Sequence, residues 1–337
     1  MEYNGDKHGF EVPISSIEDL TVAIREHLSI SSSISVNFFD PELEEYVLIR
    51  DTSKLPSDKL RFKVVAQSLS WWAWNVNTAW TEKGFSANRY FSLLVKEGEK
   101  IHNQPALEKF NEAAAAMGFS PGLVHKVYAV SNDKLLQGFE NYRDLLWGKH
   151  RKSPALFKKD DWTVAPEANQ RQAYLDWSEK YAKRYNWNTD PSKPNVIPLL
   201  QGTMDVAAWQ ICQQGFGVTA TTDDGYYGRG IYFTSKLGYA SQYAKSGPDG
   251  KAFMLCVVIP GNSFPVTEQP FSPEGFKSGY QGQACRPGYQ SHSTLVDGRN
   301  ITKAFPIKGG LDENILADET VIFEGAQAMP MFVFYMK

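Results

Sequence analysis

Cysteine is scarce in this sequence of 337 residues. Its three cysteines, Cys212, Cys256 and Cys285, lie far apart, and none belongs to a CxxC pair or to a cysteine–histidine spacing. A disulfide framework and a structural zinc site both require such spacings. The sequence therefore predicts neither a disulfide framework nor a metal site, and it is typical of a reducing compartment.

Long apolar runs are also missing. No stretch of about 18 apolar residues occurs, and the N-terminal residues lack the basic segment followed by an apolar segment that marks a secretory leader. We therefore expect an intracellular protein, cytoplasmic or nuclear, that is not embedded in a membrane. With 42% hydrophobic residues the chain is long enough to form two or more domains.

An excess of positive charge is absent as well. Lysine and arginine number 35 against 38 aspartate and glutamate residues, which gives a net charge of -3 and a pI near 6.1. Nonspecific attraction of nucleic acid requires a basic field. Nucleic acid is therefore not indicated as a partner.

Residues 1–67 are predicted to form a small mixed unit. The pattern predicts a strand at 10–14, a helix at 20–28, and strands at 34–39, 46–49 and 60–65. This order of hairpin, helix, hairpin and strand resembles a ubiquitin-like β-grasp domain of the PB1 type. The acidic residues at 40–45 favour a solvated loop over a docking edge for a basic protein, so a protein partner of this unit stays an open alternative.

The next segment, residues 68–120, is predicted to be a tryptophan-rich and helical linker. Residues 68–80 contain four of the nine tryptophans. Indoles near a domain junction favour packing anchors over stacking on a ligand or base. Apolar residues such as Phe91 and Leu94 recur at helical spacing, so the pattern predicts a helix within residues 86–118.

From residue 196 onward, short apolar runs alternate with glycines. The runs predict strands at 196–200, 230–234, 253–259, 320–323 and 331–336, and helices at 204–213 and 237–244. Before them, a periodic run predicts a helix at 173–185 and a loop at 186–195. This arrangement is typical of an α+β domain dominated by sheet.

Two segments contain residue types that suit a binding site. Gln201-Gly202-Thr203 follows the predicted strand at 196–200, where backbone amides become free to meet a ligand. Residues 225–234, GYYGRGIYFT, place three glycines just before a strand, which permits close approach of another backbone or a ligand.

A third segment, residues 318–323, begins a predicted strand with a carboxylate. On this strand Glu319 shares a face with Val321 and Phe323. A carboxylate that faces an apolar side usually has a partner or a chemical role, because burying it unpaired is costly. The pattern alone also allows a structural glutamate at this position.

The ordered motifs LLQGT, GYYGRGIYFTSKLGYASQYA, FMLCVVIPG, HSTLVDG and DETVIFEGAQAMPMFVFYM resemble the catalytic domain of the poly(ADP-ribose) polymerase family. The family's pattern is HGT, then GxxGxGIYF with a downstream tyrosine, then a strand-borne glutamate. The resemblance implies an α+β ADP-ribosyltransferase fold of two packed, mainly antiparallel sheets with flanking helices. It covers residues 121–337, with an insertion near 148–190. NAD⁺ is implied as the substrate, without a metal.

The resemblance also implies roles for single residues. The main chain of Gly202 would hold the nicotinamide carboxamide, Tyr243 would stack on the nicotinamide ring, and Tyr232 would form the opposite wall. Glu319 would bond the 2′-hydroxyl of the nicotinamide ribose. The remaining candidates for binding NAD⁺ are Thr203 near the adenosine, Tyr227 on the loop over the nicotinamide, and Ser241.

Two positions depart from the family's pattern. Gln201 stands where the family has a histidine, and its amide can replace a neutral imidazole at a ribose hydroxyl because it carries both donors and an acceptor. Ala240 stands where many members have a serine that contacts the carboxamide, and the hydroxyl of the neighbouring Ser241 should point elsewhere. The candidate catalytic residues are thus Gln201, Tyr232 and Glu319.

These residue types suit the chemistry that the resemblance implies. Breaking the bond between ribose and nicotinamide develops positive charge on the sugar, and a fixed carboxylate stabilises that transition state more than the substrate. Because glutamine replaces histidine, we expect transfer of single ADP-ribose units to a protein acceptor. The alternative is a catalytically weak or silent module that binds NAD⁺, ADP-ribose or a protein. His292 is expected to be structural.

Overall fold

The computed structural model describes much of the chain in two compact units, Met1–Trp74 and Asn75–Lys337. Each unit is described by itself below. The described residues are 2–3, 6–7, 34–40, 45–48, 62–66, 91–96, 99–100, 104–157, 162–163, 166–185, 187, 194–217, 224–275, 277, 279–299, 306–307 and 316–337.

The N-terminal unit contains a five-stranded sheet. Its strands are β1 (Glu2–Tyr3), β2 (Asp6–Lys7), β3 (Ile34–Asp40), β4 (Glu45–Leu48) and β5 (Phe62–Ala66). Their order is β2-β1-β5-β3-β4, with β1 and β5 parallel and the other pairs antiparallel. The strands predicted at 34–39, 46–49 and 60–65 are therefore confirmed to within two residues. The predicted strand at 10–14, the helix at 20–28 and the tryptophan-rich residues 68–80 lie outside the described residues.

The C-terminal unit contains a seven-stranded sheet, called the large sheet here. Its strands are β6 (Phe91–Lys96), β7 (Glu99–Lys100), β8 (Val124–Val130), β9 (Ile197–Thr203), β11 (Ser246–Gly247), β12 (Gly250–Val258) and β16 (Ala328–Met336). The order is β11-β12-β16-β8-β6-β7, and β9 pairs with β12. Every described pair in this sheet is antiparallel.

A second sheet of four strands, the small sheet, carries the candidate site residues Tyr232 and Glu319. Its strands are β10 (Ile231–Phe233), β13 (Ser263–Pro265), β14 (Ser291–Asp297) and β15 (Leu316–Ile322), in the order β10-β15-β14-β13. Only the pair β13 and β14 is parallel among the described pairs of this sheet. The predicted α+β class with two mainly antiparallel sheets is thus confirmed for the C-terminal unit.

Five α-helices are described in this unit. They are α1 (Gln104–Ala116), α2 (Asp133–Lys152), α3 (Ala168–Tyr185), α4 (Asp205–Gln214) and α5 (Leu237–Tyr243). Single 3₁₀ turns occur at Pro121–Leu123, Pro154–Leu156 and Gly325–Gln327. Within the described part of the chain, every helix is too short or too polar to cross a bilayer.

The core of the C-terminal unit lies between the two sheets. Leu199, Met254 and Val333 of the large sheet pack with Phe233 and Ile322 of the small sheet, and all five side chains are buried. Burial of such side chains stabilises the fold by about 1.5–3 kcal/mol each. This packing fixes the end of β9 close to β10 and β15, where an additional bridge joins Leu200 to Thr234.

One predicted element is wrong. The pattern predicted a helix through Phe91 and Leu94, whereas this segment is β6, which pairs with β8. Apolar residues at 91, 94 and 95 fit a helical face, but a register shift between Leu93 and Val95 produces the same spacing in a strand. Leu94 is fully buried there, so tertiary pairing outweighs the local pattern. The last part of the segment predicted as helical, residues 104–116, is the helix α1.

Candidate active site

Glu319 lies in the middle of β15, opposite Thr294 of β14. The strand begins at Leu316, so the sequence-based expectation that Glu319 stands at the start of a strand is wrong. Its predicted face is correct, since Ala317 and Val321, two residues to either side, belong to one apolar cluster. The glutamate is 5% exposed, so its carboxylate requires polar partners.

Those partners come from helix α5. The hydroxyl of Tyr239 donates a short hydrogen bond to Oε1 of Glu319, and the hydroxyl of Tyr243 lies 3.4 Å from the same oxygen. The two hydroxyls are also 3.1 Å apart. Residues four apart share a helix face, so one turn of α5 presents both tyrosines to the carboxylate. Tyr239 is buried, whereas Tyr243 is 44% exposed and borders solvent.

Both tyrosines remain hydrogen-bond donors at neutral pH. Burial raises the pKa of Tyr239 and of Tyr243 far above the ordinary value, and the nearby charge of Glu319 raises both further. A protonated phenol beside a carboxylate forms a charge-assisted hydrogen bond, which is about twice as strong as a neutral one. The pair therefore stabilises Glu319 in one orientation.

Tyr232 reaches the same face from the neighbouring strand. It stands opposite Val321, which places it diagonally next to Glu319 on that face of the small sheet. Its hydroxyl accepts a hydrogen bond from the amide of Tyr227 and donates one to the carbonyl of Gly228, both at 2.8 Å. These two hydrogen bonds link the turn at residues 225–230 to β10 of the small sheet.

The glycine at position 225 permits this turn. Gly225 has φ +60, a left-handed conformation that side chains other than glycine adopt rarely. A Cβ atom there would lie 2.5 Å from the hydroxyl oxygen of Tyr232. The predicted close approach before β10 is therefore an approach to the protein's own tyrosine.

His292 of β14 also binds the turn at residues 225–230. The imidazole is fully buried, its Nδ1–H donates to the carbonyl of Tyr227 at 2.6 Å, and its Nε2 accepts from the amide of Arg286 at 2.9 Å. This arrangement requires the neutral ring, and burial lowers the pKa of His292 to about 4. The contacts agree with the structural role expected for this histidine.

Gly202 brings the end of β9 against α5. The strand runs on to Thr203, and Gly202 pairs with Phe253 of β12, so the strand does not end at residue 200 as expected. A Cβ atom on Gly202 would stand 1.9 Å from the carbonyl oxygen of Ala240. The amide of Lys245, just after α5, also donates to the carbonyl of Thr203 at 3.1 Å.

Gln201 carries a polar atom without a partner. Its Oε1 is buried and accepts no hydrogen bond from any described residue. An unsatisfied buried acceptor costs about 1–3 kcal/mol. A donor on a bound molecule would remove that cost, which makes Gln201 a candidate contact for a ligand hydroxyl.

Ser241 lies apart from these groups. Its hydroxyl donates to the carbonyl of Gly238 within α5 at 2.8 Å, and its own carbonyl accepts from Nζ of Lys251 at 3.0 Å. The serine hydroxyl thus points away from Glu319, as expected from its position beside Ala240. The first part of the expected loop over the nicotinamide, at 219–223, lies outside the described residues.

The other face of β15 carries a second buried carboxylate. Asp318 accepts hydrogen bonds from the amide of Ser235, at 3.0 and 3.2 Å, and from its hydroxyl. Burial raises the pKa of Asp318 above its ordinary value, and these hydrogen bonds oppose the shift. Because side chains alternate along a strand, Asp318 and Glu319 belong to separate environments.

The structure brings Gly202, Tyr232, Tyr243 and Glu319 into one region through α5 and β10. Tyr239 is a member of this region that the sequence analysis missed. Its spacing of four residues from Tyr243 was the available signal, because it predicts a shared helix face. Among the residues that the structure describes, no group of three histidine, cysteine or acidic side chains is arranged to hold a metal ion.

A buried carboxylate held by two tyrosine donors is chemically suited to stabilise positive charge that develops on a sugar ring. Residues 174–337 match the family model described as the poly(ADP-ribose) polymerase catalytic domain. This part of the chain is therefore similar to that catalytic domain, and the resemblance seen in the sequence motifs is confirmed. The catalytic domains of that family are NAD-dependent ADP-ribosyltransferases that use NAD⁺ as substrate.

The family match begins within α3, so it includes part of the segment 148–190 that was expected to be an insertion. A comparison with curated proteins gives no match.

Proposed function

We propose that the C-terminal unit transfers single ADP-ribose units from NAD⁺ to a protein acceptor and releases nicotinamide. The observation that carries this proposal is the carboxylate of Glu319, buried within the family's domain and held by Tyr239 and Tyr243. In this reaction the bond from C1′ of the ribose to the nicotinamide nitrogen breaks, and nicotinamide leaves with the electron pair. The acceptor atom then bonds C1′ and loses its proton to solvent.

Glu319 is proposed to bind the ribose 2′-hydroxyl and to oppose the positive charge that develops on the sugar. A preorganised group of this kind contributes about 3–4 kcal/mol to barrier stabilisation in comparable electrostatic sites. The tyrosine hydroxyls support this role because they hold the carboxylate in place before the substrate arrives. Tyr232 and Tyr243 are proposed as the two walls around the nicotinamide ring.

Gln201, Gly202 and Thr203 are proposed to hold the rest of the NAD⁺ molecule. The buried, unpaired Oε1 of Gln201 supports this assignment because a ribose hydroxyl would supply the missing donor. The main chain of Gly202 would bind the carboxamide, and Thr203 would lie on the adenosine side. Tyr227 would act by supporting the loop, since it is fully buried and bonded to His292. The Ser241 hydroxyl donates to the carbonyl of Gly238 in its own helix, so we assign it no contact with NAD⁺.

Nicotinamide release by the full chain tests the proposal. Purified protein with labelled NAD⁺ should release nicotinamide and acquire labelled ADP-ribose, on itself or on an added acceptor. Glu319→Gln should lower the rate at least about a hundredfold, given the barrier contribution above. The matched control is Glu112→Gln on the exposed side of α1, which removes only a surface pair with Lys109. Equal rates for the two variants would refute the role of Glu319.

A second candidate function is an NAD⁺-binding module without turnover. Ala240 and Gln201 favour it, because each stands where the family's pattern has a polar group for the nicotinamide half of the substrate. Calorimetry with NAD⁺ and a nonhydrolysable analogue distinguishes the two functions. Heat of binding without nicotinamide release supports the silent module, and measurable release excludes it.

For the N-terminal unit we propose a β-grasp domain of residues 1–67 that binds a protein partner. The position of β5 supports the β-grasp assignment, because this last strand lies between the two hairpins and runs parallel to β1. We further propose that the unit acts as a docking module of the chain. Expression of residues 1–74 alone tests the domain assignment, because a folded fragment should give a cooperative unfolding transition.

A further inference from the structure

A cavity in the C-terminal unit lies outside the site around Glu319. It is formed by one face of α3, the end of α1 near Gly118, and the segment Ser235-Lys236 before α5. Its volume is about 210 Å³. That is below the roughly 300–1,000 Å³ of sites that enclose a drug-sized ligand, so it suits a smaller or partly enclosed molecule.

Three cationic side chains line this cavity. Lys180 and Arg184 are one turn apart on the exposed face of α3, and the half-buried Lys236 approaches from the start of α5. Arg184 alone could be explained by the favourable charge at a helix C-terminus. Lys180 stands a turn earlier and Lys236 belongs to another element, so the helix dipole does not explain the three together. The lining contains no acidic residue.

Aromatic rings form the cavity's walls. Trp177, Tyr181 and Tyr185 recur every four residues along α3 and so share one face of the helix. Nζ of Lys236 lies 5.4 Å from the centroid of the Trp177 ring, and Cζ of Arg184 lies 5.1 Å from that of Tyr185. The Tyr181 hydroxyl donates to the carbonyl of Pro198, which anchors the face on β9.

The cavity is separate from the proposed NAD⁺ site. Its wall residue Ser235 is bonded to Asp318, on the face of β15 opposite to that of Glu319. None of Gln201, Tyr232 or Glu319 lines it. Aromatic walls bind the π-face of a base, and clustered cations bind a phosphate.

From this geometry we infer that the cavity is a second binding site, for a mononucleotide. The phosphate lies among Lys180, Arg184 and Lys236, and the base stacks on the aromatic face of α3 that carries Trp177. The site is independent of the transfer reaction, since it shares no residue with the proposed catalytic groups.

Calorimetric titration of the full chain with AMP, inorganic phosphate and adenosine tests this inference. AMP should bind saturably, and phosphate and adenosine should each bind at least about tenfold more weakly, because each makes only half of the contacts. The double variant K180E/R184E should weaken AMP binding at least about tenfold, through loss of charge-assisted contacts. Trp177→Ala should weaken AMP binding but not phosphate binding.

The matched control is Lys183→Glu, an exposed lysine on α3 that does not line the cavity. It should leave AMP affinity within about twofold, which separates local contacts from the general charge of the helix. Nicotinamide release by K180E/R184E should equal that of the wild type, so failure here is distinct from failure of the transferase proposal. The inference is overturned if AMP does not bind, if phosphate binds equally well, or if the double variant and the control behave alike.

Discussion

At the scale of single residues, the candidate site depends on how one buried carboxylate is held. Tyr239 is buried and its hydroxyl meets Glu319 directly, whereas Tyr243 is part-exposed and more distant from the same oxygen. The buried hydroxyl therefore does most to orient the carboxylate, and the exposed ring remains accessible to a substrate. Tyr239 is a positioning residue by this argument, since it acts through Glu319.

The substitution Tyr239→Phe tests that role. Removing the hydroxyl deletes a hydrogen bond to a charged group, worth about 1.5–3 kcal/mol, and leaves the ring packing intact. We expect kcat for nicotinamide release to fall about tenfold or more while KM for NAD⁺ changes little. Tyr335→Phe is the control, because it removes a buried hydroxyl that bonds the carboxylate of Asp205 on α4 and not that of Glu319. If both variants keep wild-type kcat, Tyr239 does not position Glu319.

At the scale of elements, the placement of α5 against β9 decides whether the tyrosines reach Glu319. Gly202 is the contact point, since any side chain there would strike the backbone of Ala240. We expect Gly202→Ala to displace α5, to destabilise the protein by about 1–3 kcal/mol and to abolish nicotinamide release. Thermal unfolding and the release assay measure the two effects.

A glycine of α5 itself, Gly238, serves as the matched control. Gly238 has open space around its Cα, so Gly238→Ala should raise stability by about 0.5–1 kcal/mol and leave activity unchanged. A Gly202→Ala variant as stable and active as Gly238→Ala would show that α5 does not depend on this contact.

The sequence predicted the elements around the site better than their ends. The spacing of apolar residues located β9, β10, β15 and α5, because each combines one buried face with a local turn signal. It did not show that β15 begins at Leu316 or that β9 continues to Thr203, since both extensions follow from pairing with distant strands. Tyr239 was missed for a similar reason. A helical spacing identifies a face, but only the tertiary fold shows what the face meets.

At the scale of the whole molecule, stability is coupled to the protonation of His292. This buried imidazole joins β14 to the turn at 225–230 and to Arg286, so its neutral form is part of the fold. Protonation would turn Nε2 from an acceptor into a donor that faces the amide of Arg286. Burial lowers the pKa of His292 to about 4 in the folded protein, against about 6.5 in an unfolded chain.

The sign of the resulting pH dependence follows from the lowered pKa. Above pH 6.5 both states are neutral at this residue, and its full contribution is present. As the pH falls from 6.5 towards 4, only the unfolded chain takes up the proton, so the folded state loses about 2 kcal/mol by pH 5 and about 3 kcal/mol by pH 4.

Urea unfolding at pH 7 and pH 5, for wild type and His292→Gln, isolates this residue from the carboxylates that titrate in the same range. The glutamine amide can offer a donor and an acceptor to the same partners but takes up no proton in this range. We expect the wild type to lose about 2 kcal/mol more than the variant between the two pH values. An equal loss in both proteins would mean that His292 is not held neutral by these contacts, and that its link between β14 and the turn contributes little to the stability of the fold.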